Sequence, residues 1–225
     1  MKNIVFGAIV LSLICLSCNS NRNKSNIETV ASATDSIKSS TYDSQDKEEI
    51  QKLIRNVLNW SETDTTFHLL PCLTDSNDSL YVGFDLKQLK KNLRILNSTG
   101  FFDNTFVDNY KQIILTLDKK IRDKDFNEWY VGELPTFKFA NDVNPWSLSQ
   151  DVPYDDPNPW DYLEVTIIKL DNKNGELNWK WGKLELNDSP DWKEFSYRFK
   201  VTKENGKWMI SYMQGFDFNE NIQNN

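Results

Sequence analysis

Apolar residues recur at helical spacing in three stretches between residues 47 and 121. The first stretch begins at Lys47 and marks one helix face, through Ile50, Leu53, Ile54, Val57 and Leu58. The second follows Asp85 and the third opens at Asn104 or Thr105, which are residue types that cap helices. The segment SLYVGFD (79–85) predicts a short strand before the second helix. The pattern therefore predicts three helices and one early strand.

The last third of the chain alternates apolar and polar positions, as half-buried strands do. YLEVTIIKL and FSYRFKV each alternate over most of their length, and so does the segment after Asn205-Gly206, at Trp208, Ile210 and Tyr212. NKNG (172–175) and KENGK are turn signals between these runs. Together they predict an antiparallel sheet.

One strand of this sheet changes parity. In LNWKWGKLEL, Trp179 and Trp181 share one face, whereas Leu184 and Leu186 have the other parity, so we predict a β-bulge at Gly182. Helices followed by a long, bulged antiparallel sheet form an α+β domain. Such a curved sheet wrapped on helices would enclose a conical cavity lined by inward aromatic residues.

The N-terminus has a different pattern. Met1-Lys2-Asn3 is short and positive, and Ile4 to Leu16 is almost unbroken apolar but too short to span a bilayer, which takes about 20 residues. The stretch CLSC resembles a bacterial lipobox, because the small residue Ser17 precedes Cys18 whereas the bulky Ile14 precedes Cys15. The resemblance implies signal cleavage between Ser17 and Cys18 and a stable lipid anchor on Cys18.

These patterns divide the chain into a signal peptide (1–17), a lipidated and flexible tether (18–46), one α+β domain (47–219) and a polar tail (220–225). We therefore expect the protein to bind a membrane through its lipid and to be located in the bacterial cell envelope. The outer membrane facing the periplasm is favoured because Asn19, rather than an Asp, follows Cys18; exposure on the cell surface remains open. Cys72 would be the remaining thiol, and we interpret it as a small buried apolar residue.

Composition narrows the function classes. The chain has 225 residues, 39% hydrophobic, with a formal net charge of −7. This size fits one domain with appendages, and the acidic balance argues against nucleic-acid binding.

The order of several segments resembles a known family. These are the opening helix EEIQKLIRNVLNW, the segment FFDNTFVDNYKQI, the Pro- and Asp-rich connection, and the closing YRFKVTKENGKWMISYM. The pattern looks like the nuclear-transport-factor-2-like (cystatin-like) cone fold and, more narrowly, the bacterial family called domain of unknown function 3828. The resemblance covers roughly residues 47–218. It implies a fold and an envelope location rather than a chemistry.

The connection NDVNPWSLSQDVPYDDPNPWDY (141–162) is the most unusual segment of the domain. Its acidic residues are of the type that ligates calcium, but we favour a role in capping turns for them: Asp151, Asp155, Asp156 and Asp161. Its aromatic residues look exposed and suit a recognition loop as well as packing on the sheet: Trp146, Tyr154 and Trp160. Trp179 and Trp181 are candidates for stacking on a ligand, with core filling as the alternative. We predict no metal and no cofactor.

No catalytic motif accompanies these features. His68 is the only histidine, and the chain lacks a nucleophile elbow and a Gly-rich phosphate loop. The leading expectation is a non-catalytic module that binds a protein, glycan or small ligand. One alternative is a cone-fold isomerase or hydratase with a buried carboxylate, for which Glu164, Thr166 and Arg198 qualify only if the strand parity is inverted. Another is an immunity or inhibitor protein.

Overall fold

The computed structural model describes residues 33–154 and 157–223, with side chains over 44–154 and 157–222. The described chain is α+β, as predicted, with helices, a two-stranded and a four-stranded antiparallel sheet. The elements are α1 (Ala33–Thr63), β1 (Cys72–Thr74), β2 (Tyr81–Phe84), α2 (Leu86–Thr99), α3 (Asn104–Arg122), β3 (Leu163–Leu170), β4 (Asn174–Trp181), α4 (Pro190–Glu194), β5 (Tyr197–Glu204) and β6 (Lys207–Met213). A 3₁₀ turn precedes β3 (Pro159–Tyr162) and another follows β6 (Gln214–Phe216). A short π-helix (Asn219–Gln223) closes the described chain.

Side-chain caps set the starts of α2 and α3. The Asp85 carboxylate accepts from the Lys87 N–H, and Asp103 accepts from the Phe106 N–H. Gly100 ends α2 in the left-handed conformation, at φ 64°. Because polar caps and apolar periodicity mark the same residues, both helices lie where the sequence predicts them.

Helix α1 starts earlier than expected. It begins at Ala33, within the segment predicted as a tether, whereas the apolar stripe begins only at Ile50. A helix without an apolar stripe leaves no periodic signal, which explains the difference. Residues 1–32, including the predicted signal peptide, Ser17 and Cys18, lie outside the described residues, and their assignments stay predictions.

The four-stranded sheet is an antiparallel meander in the order β3-β4-β5-β6. Its inward face carries the alternating residues that the sequence predicted, and these are buried: Leu163, Val165, Leu177, Trp179, Trp181, Tyr197, Phe199, Val201, Trp208 and Ile210. Glu164, Thr166 and Arg198 lie on the opposite, exposed face. The strand parity is therefore not inverted.

The bulge predicted at Gly182 is wrong, because β4 ends at Trp181. The Gly182 N–H donates to the Tyr162 carbonyl at 3.0 Å, and a Cβ at this position would lie 2.4 Å from that oxygen. The glycine is needed for this close approach between chain segments rather than for a bulge. Leu184 and Leu186 leave the sheet, and Leu186 is 98% exposed.

Register shifts lie elsewhere, one of them in β6. Val201 pairs with Ile210 and Lys200 with Tyr212, so one residue of β6 has no counterpart on β5. This extra residue reverses the parity of the strand end. Met213 becomes buried, and Tyr212, expected on the inward face, contacts Arg198 on the outer one.

Candidate functional site

The predicted tryptophan sites are buried. Trp146, Trp160, Trp179 and Trp181 are each at most 3% exposed, so the expectation that Trp146 and Trp160 are exposed is wrong. The indoles of Trp146 and Trp160 attach the 141–162 connection to the core, and their burial is favourable because each ring removes a large apolar surface from water.

The structure brings three of the four tryptophans together. Trp160 stacks on Trp181 at 5.4 Å between ring centroids, Trp179 is 5.1 Å from Trp181, and Tyr154 packs at the edge of Trp181. Trp146 lies in a separate cluster, with Phe216 at 4.5 Å. The predicted site residues therefore do not form one surface.

The tryptophan trio holds buried polar atoms. Trp160 Nε1 donates to Glu62 Oε2 at 2.8 Å, but Trp179 Nε1 and Trp181 Nε1 meet no acceptor among the described residues. A buried donor without a partner costs about 1–3 kcal/mol. A ligand-contacting role for Trp179 and Trp181 stays a prediction.

The acidic residues of the same connection are dispersed. Asp151 and Asp161 are exposed, and the Asp161 carboxylate accepts from Asn158 Nδ2 at 3.0 Å, which is a local turn contact. Asp155 and Asp156 lie outside the described residues. Over residues 44–154 and 157–222, no group of three or more His, Cys, Asp or Glu side chains is placed to hold a metal.

A groove elsewhere has the shape of a ligand site. It lies between the C-terminal end of α3, strand β2 and the 124–136 connection, and has a volume of about 340 Å³. We call it the α3 groove; the lining residues that matter below are Tyr81, Val82, Arg122, Lys124, Phe126 and Glu128. Clefts of this size with apolar walls and a few polar groups are typical of small-molecule sites.

Backbone hydrogen bonds hold the groove open. Strand β2 pairs with β1 on one edge, and on the other edge the Tyr81 N–H donates to the Trp129 carbonyl at 2.9 Å. The Val131 N–H likewise donates to the Ser79 carbonyl at 3.1 Å. The loop that forms one wall is thus attached at two points, to β2 and to Ser79 just before it. The groove is preformed rather than dependent on a free loop.

The Arg122 guanidinium at the end of α3 is held beside strand β2. Its Nε donates to both oxygens of Asp118 at 3.0 Å, and Asp118 Oδ1 also accepts from the Phe84 N–H at 2.7 Å. This hydrogen bond to Asp118 raises the pKa of Arg122. A Cβ at Gly83 would lie 2.7 Å from Arg122 Nη2, so the glycine leaves room for the guanidinium against β2.

Aromatic side chains line the remaining walls of the groove, and other apolar side chains of the 124–136 connection are exposed. The rings of Tyr81 and Trp129 lie 4.2 Å apart, and Phe126 packs on Phe137 at 5.4 Å. Val82, Tyr130, Val131 and Leu134 are 37–62% exposed. Of these exposed residues, Val82 is the one that lines the groove.

A second cleft, of about 360 Å³, opens beside the predicted recognition loop. Phe67, Leu69, Asn141, Asp142 and Trp146 contribute to its lining. It is more polar than the α3 groove and less enclosed. Trp146 is the one predicted anchor that the structure places at this cleft, and its ring is almost fully buried.

Two buried carboxylates bear on the enzyme alternative. Burial raises the pKa of Asp103, whose side chain caps α3, and Asp118 is bound to Arg122 and to the β2 backbone. Both therefore already hold structural partners. Cys72 is half-buried, and burial raises the pKa of its thiol to about 11, in agreement with an unreactive side chain.

The groove residues were missed by sequence reasoning. The segment between α3 and the 141–162 connection holds Phe126, Trp129, Tyr130, Phe137 and Phe139 without helix or strand periodicity. This density of aromatic residues in an irregular segment was the available signal. Its partners Tyr81 and Val82 come from a distant strand, and no spacing rule connects the two.

Comparisons with protein-family models, with curated proteins and with solved structures returned no match for this chain. In the part of the chain that the structure describes, no helix has the length and apolar character needed to cross a membrane.

Proposed function

We propose that the chain is a lipid-anchored, non-catalytic binding module of the bacterial cell envelope, which takes its ligand in the α3 groove. In this proposal Cys18 carries the lipid, and the α+β domain is a cystatin-like cone. The protein class, the anchor and the envelope location rest on the N-terminal sequence pattern and on the family resemblance.

The α3 groove is the observation that supports binding. It is preformed, its aromatic walls are accessible at Tyr81 and Phe126, and it holds a fixed guanidinium. Concave, mostly apolar sites with a few placed polar groups favour ligand binding. The tryptophans of the 141–162 connection are less suitable because they are buried.

A screen of the full chain tests the binding site. Thermal shifts would be measured with a collection of small metabolites, oligosaccharides and peptides, for the wild type and for Val82→Glu and Ile168→Glu. Both residues are exposed, β-branched and on strands, but only Val82 lines the groove. We expect ligands whose shift is lost in Val82→Glu and kept in Ile168→Glu. Ligands that respond only to Ile168→Glu would instead place the site on the outer sheet face and contradict the proposal.

Mass spectrometry of the membrane fraction tests the anchor. The expected N-terminus is Cys18 bearing a diacylglyceryl thioether and an acylated amine, with residues 1–17 removed. The Cys18→Ala variant should leave the membrane fraction, whereas Cys15→Ala should not. An uncleaved N-terminus or an unmodified Cys18 in the wild type would contradict the anchor without bearing on the groove.

A further inference from the structure

The charged groups of the α3 groove differ in whether they already have partners. Arg122 and Lys124 line it as cations, and Glu128 is the carboxylate among the described lining residues. The chain as a whole carries a net charge of −7. Because Asp118 pairs with Arg122 at 3.0 Å, the formal charges around the groove balance, and the ligand class depends on which donors and acceptors remain available to a ligand.

The two cations are held differently, since Arg122 is bound by Asp118 whereas Lys124 is exposed. Arg122 is half-exposed, and its Nε and Nη2 face Asp118 and the Phe84 carbonyl, while its Nη1 donates to no residue that the structure describes. The side chain is already ordered, so a ligand oxygen at Nη1 would not have to immobilise it. Lys124 follows at φ 61°, where the chain turns out of α3 into the loop.

The Glu128 carboxylate already has a hydrogen-bond partner. Glu128 Oε2 accepts a hydrogen bond from the Tyr130 hydroxyl at 2.8 Å, and this contact raises the pKa of Tyr130. Glu128 is therefore held by its own neighbour rather than by either cation. Among the charged lining groups, Arg122 Nη1 and the Lys124 ammonium donate to no residue that the structure describes, so they remain available to a ligand.

From this arrangement we infer that the α3 groove binds a small organic carboxylate with a flat apolar body. The body lies against Tyr81 and Phe126, and the carboxylate accepts hydrogen bonds from Arg122 and Lys124. The volume of about 340 Å³ suits a small molecule rather than a folded partner. This inference rests on the proposed function and specifies its ligand class.

Three probes that share a naphthalene ring and are of similar size test the charge preference. They are 2-naphthoate, 2-naphthalenemethanol and 2-naphthylmethylammonium, titrated into the full chain by calorimetry at low salt. We expect 2-naphthoate to bind roughly tenfold more tightly than the alcohol, since hydrogen bonds to charged groups are the stronger ones. The ammonium probe should bind most weakly. Raised salt should reduce the preference, because exposed charges are screened.

Paired lysine variants test the location. Lys124→Gln should weaken 2-naphthoate binding by roughly threefold, as expected for an exposed charge pair. Lys90→Gln makes the same change in net charge on α2, away from the groove, and should leave the affinity unchanged. Arg122→Gln should weaken binding more strongly. Because it also removes the ion pair of buried Asp118, the comparison of Lys124→Gln with Lys90→Gln is the test of location.

Two outcomes would overturn the inference. If the alcohol binds as tightly as 2-naphthoate and Lys124→Gln has no effect, the groove binds apolar ligands without charge selection, and the proposed function stands. If none of the three probes binds, the ligand class is wrong. Whether the groove binds another ligand is then tested by the Val82→Glu screen alone. Binding of 2-naphthoate that falls equally in Lys124→Gln and Lys90→Gln would show a general charge effect and would also contradict it.

Discussion

At the scale of single residues, a buried asparagine holds an irregular loop to the core. Asn92 is fully buried on α2, and its Nδ2 donates to the His68 carbonyl at 2.5 Å and to the Tyr110 hydroxyl at 2.9 Å. Its Oδ1 accepts from Gln88 Nε2 at 3.0 Å. The Tyr110 hydroxyl in turn donates to the Leu69 carbonyl at 2.9 Å. The side chain amide thus replaces secondary-structure bonds that the 64–71 segment lacks.

Replacing Asn92 by Leu should therefore destabilise the fold. The change leaves the His68 carbonyl and the Tyr110 hydroxyl without this partner, at a cost of about 2–4 kcal/mol in the free energy of unfolding. Asn97→Leu, an exposed position on the same helix, should change it by less than about 0.5 kcal/mol. Urea unfolding followed by circular dichroism measures both. Equal stability of the two variants would show that the network has no special role.

Contacts between residues close in sequence were predictable, but contacts between residues far apart in sequence were not. Asp85 and Asp103 cap helices through neighbours two or three residues away, so the sequence locates α2 and α3 closely. Asp118 and Arg122 show a readable i, i+4 spacing. Their position in the groove, however, depends on Gly83 and Phe84, which lie far away in the chain and carry no matching signal.

At the scale of elements, one carboxylate attaches α1 to the sheet. Asp46 accepts hydrogen bonds from Lys203 Nζ on β5 at 2.7 Å and from Trp208 Nε1 on β6 at 2.8 Å. Burial by itself would raise the pKa of Asp46, but the hydrogen bonds from Lys203 and Trp208 outweigh it and lower the pKa. Asp46 precedes the predicted domain start at Lys47, so packing against the sheet extends beyond the apolar stripe.

Stability should depend on pH through this contact. Because the folded pKa of Asp46 is lowered, its contribution is fully present above the unfolded value of about 3.8 and is lost as the pH falls through the folded value. We expect Asp46→Asn to lose about 1 kcal/mol at pH 7. The gap from wild type should shrink below about pH 4.

The matched control for Asp46 is Glu48→Gln, an exposed position on the same helix. Thermal unfolding of the three proteins at several pH values between 3 and 7 makes the comparison. A gap between wild type and Asp46→Asn that stays constant with pH would show that the carboxylate charge is not responsible.

The sequence pattern predicted which residues of the sheet are buried better than it predicted where the strands end. Alternation indicated correctly which side of β3 and β5 is buried, because one face must pack on the helices. For β4 the parity change left both faces possible, and the structure buries Leu177, Trp179 and Trp181. Strand β4 ends before Gly182, where the chain closely approaches Tyr162. The extra residue in β6 depends on how this strand pairs with β5. Tertiary contacts of this kind cannot be read from the alternation of apolar and polar residues in a single strand.

At the scale of the whole molecule, the long 141–162 connection is fastened to the sheet at Pro145. The Tyr197 hydroxyl on β5 donates to the Pro145 carbonyl at 2.9 Å and accepts from the Gly215 N–H at 3.0 Å. A Cβ at Gly215 would lie 2.0 Å from the same carbonyl, so only glycine allows this approach. One buried hydroxyl therefore joins three distant parts of the chain: the connection, β5 and the turn after β6.

Tyr197→Phe should release this fastening without removing the ring. It leaves the Pro145 carbonyl and the Gly215 N–H unpaired in a fully buried place, which should lower the free energy of unfolding by about 2 kcal/mol. Local opening should be the first consequence, since the connection carries little secondary structure of its own. We expect faster amide hydrogen exchange over residues 141–154 than in the wild type. Tyr212→Phe removes a hydroxyl bonded to Asp217 on the outer face and should leave that exchange unchanged. If exchange over 141–154 is unaffected by Tyr197→Phe, the buried tryptophans alone hold the connection in place.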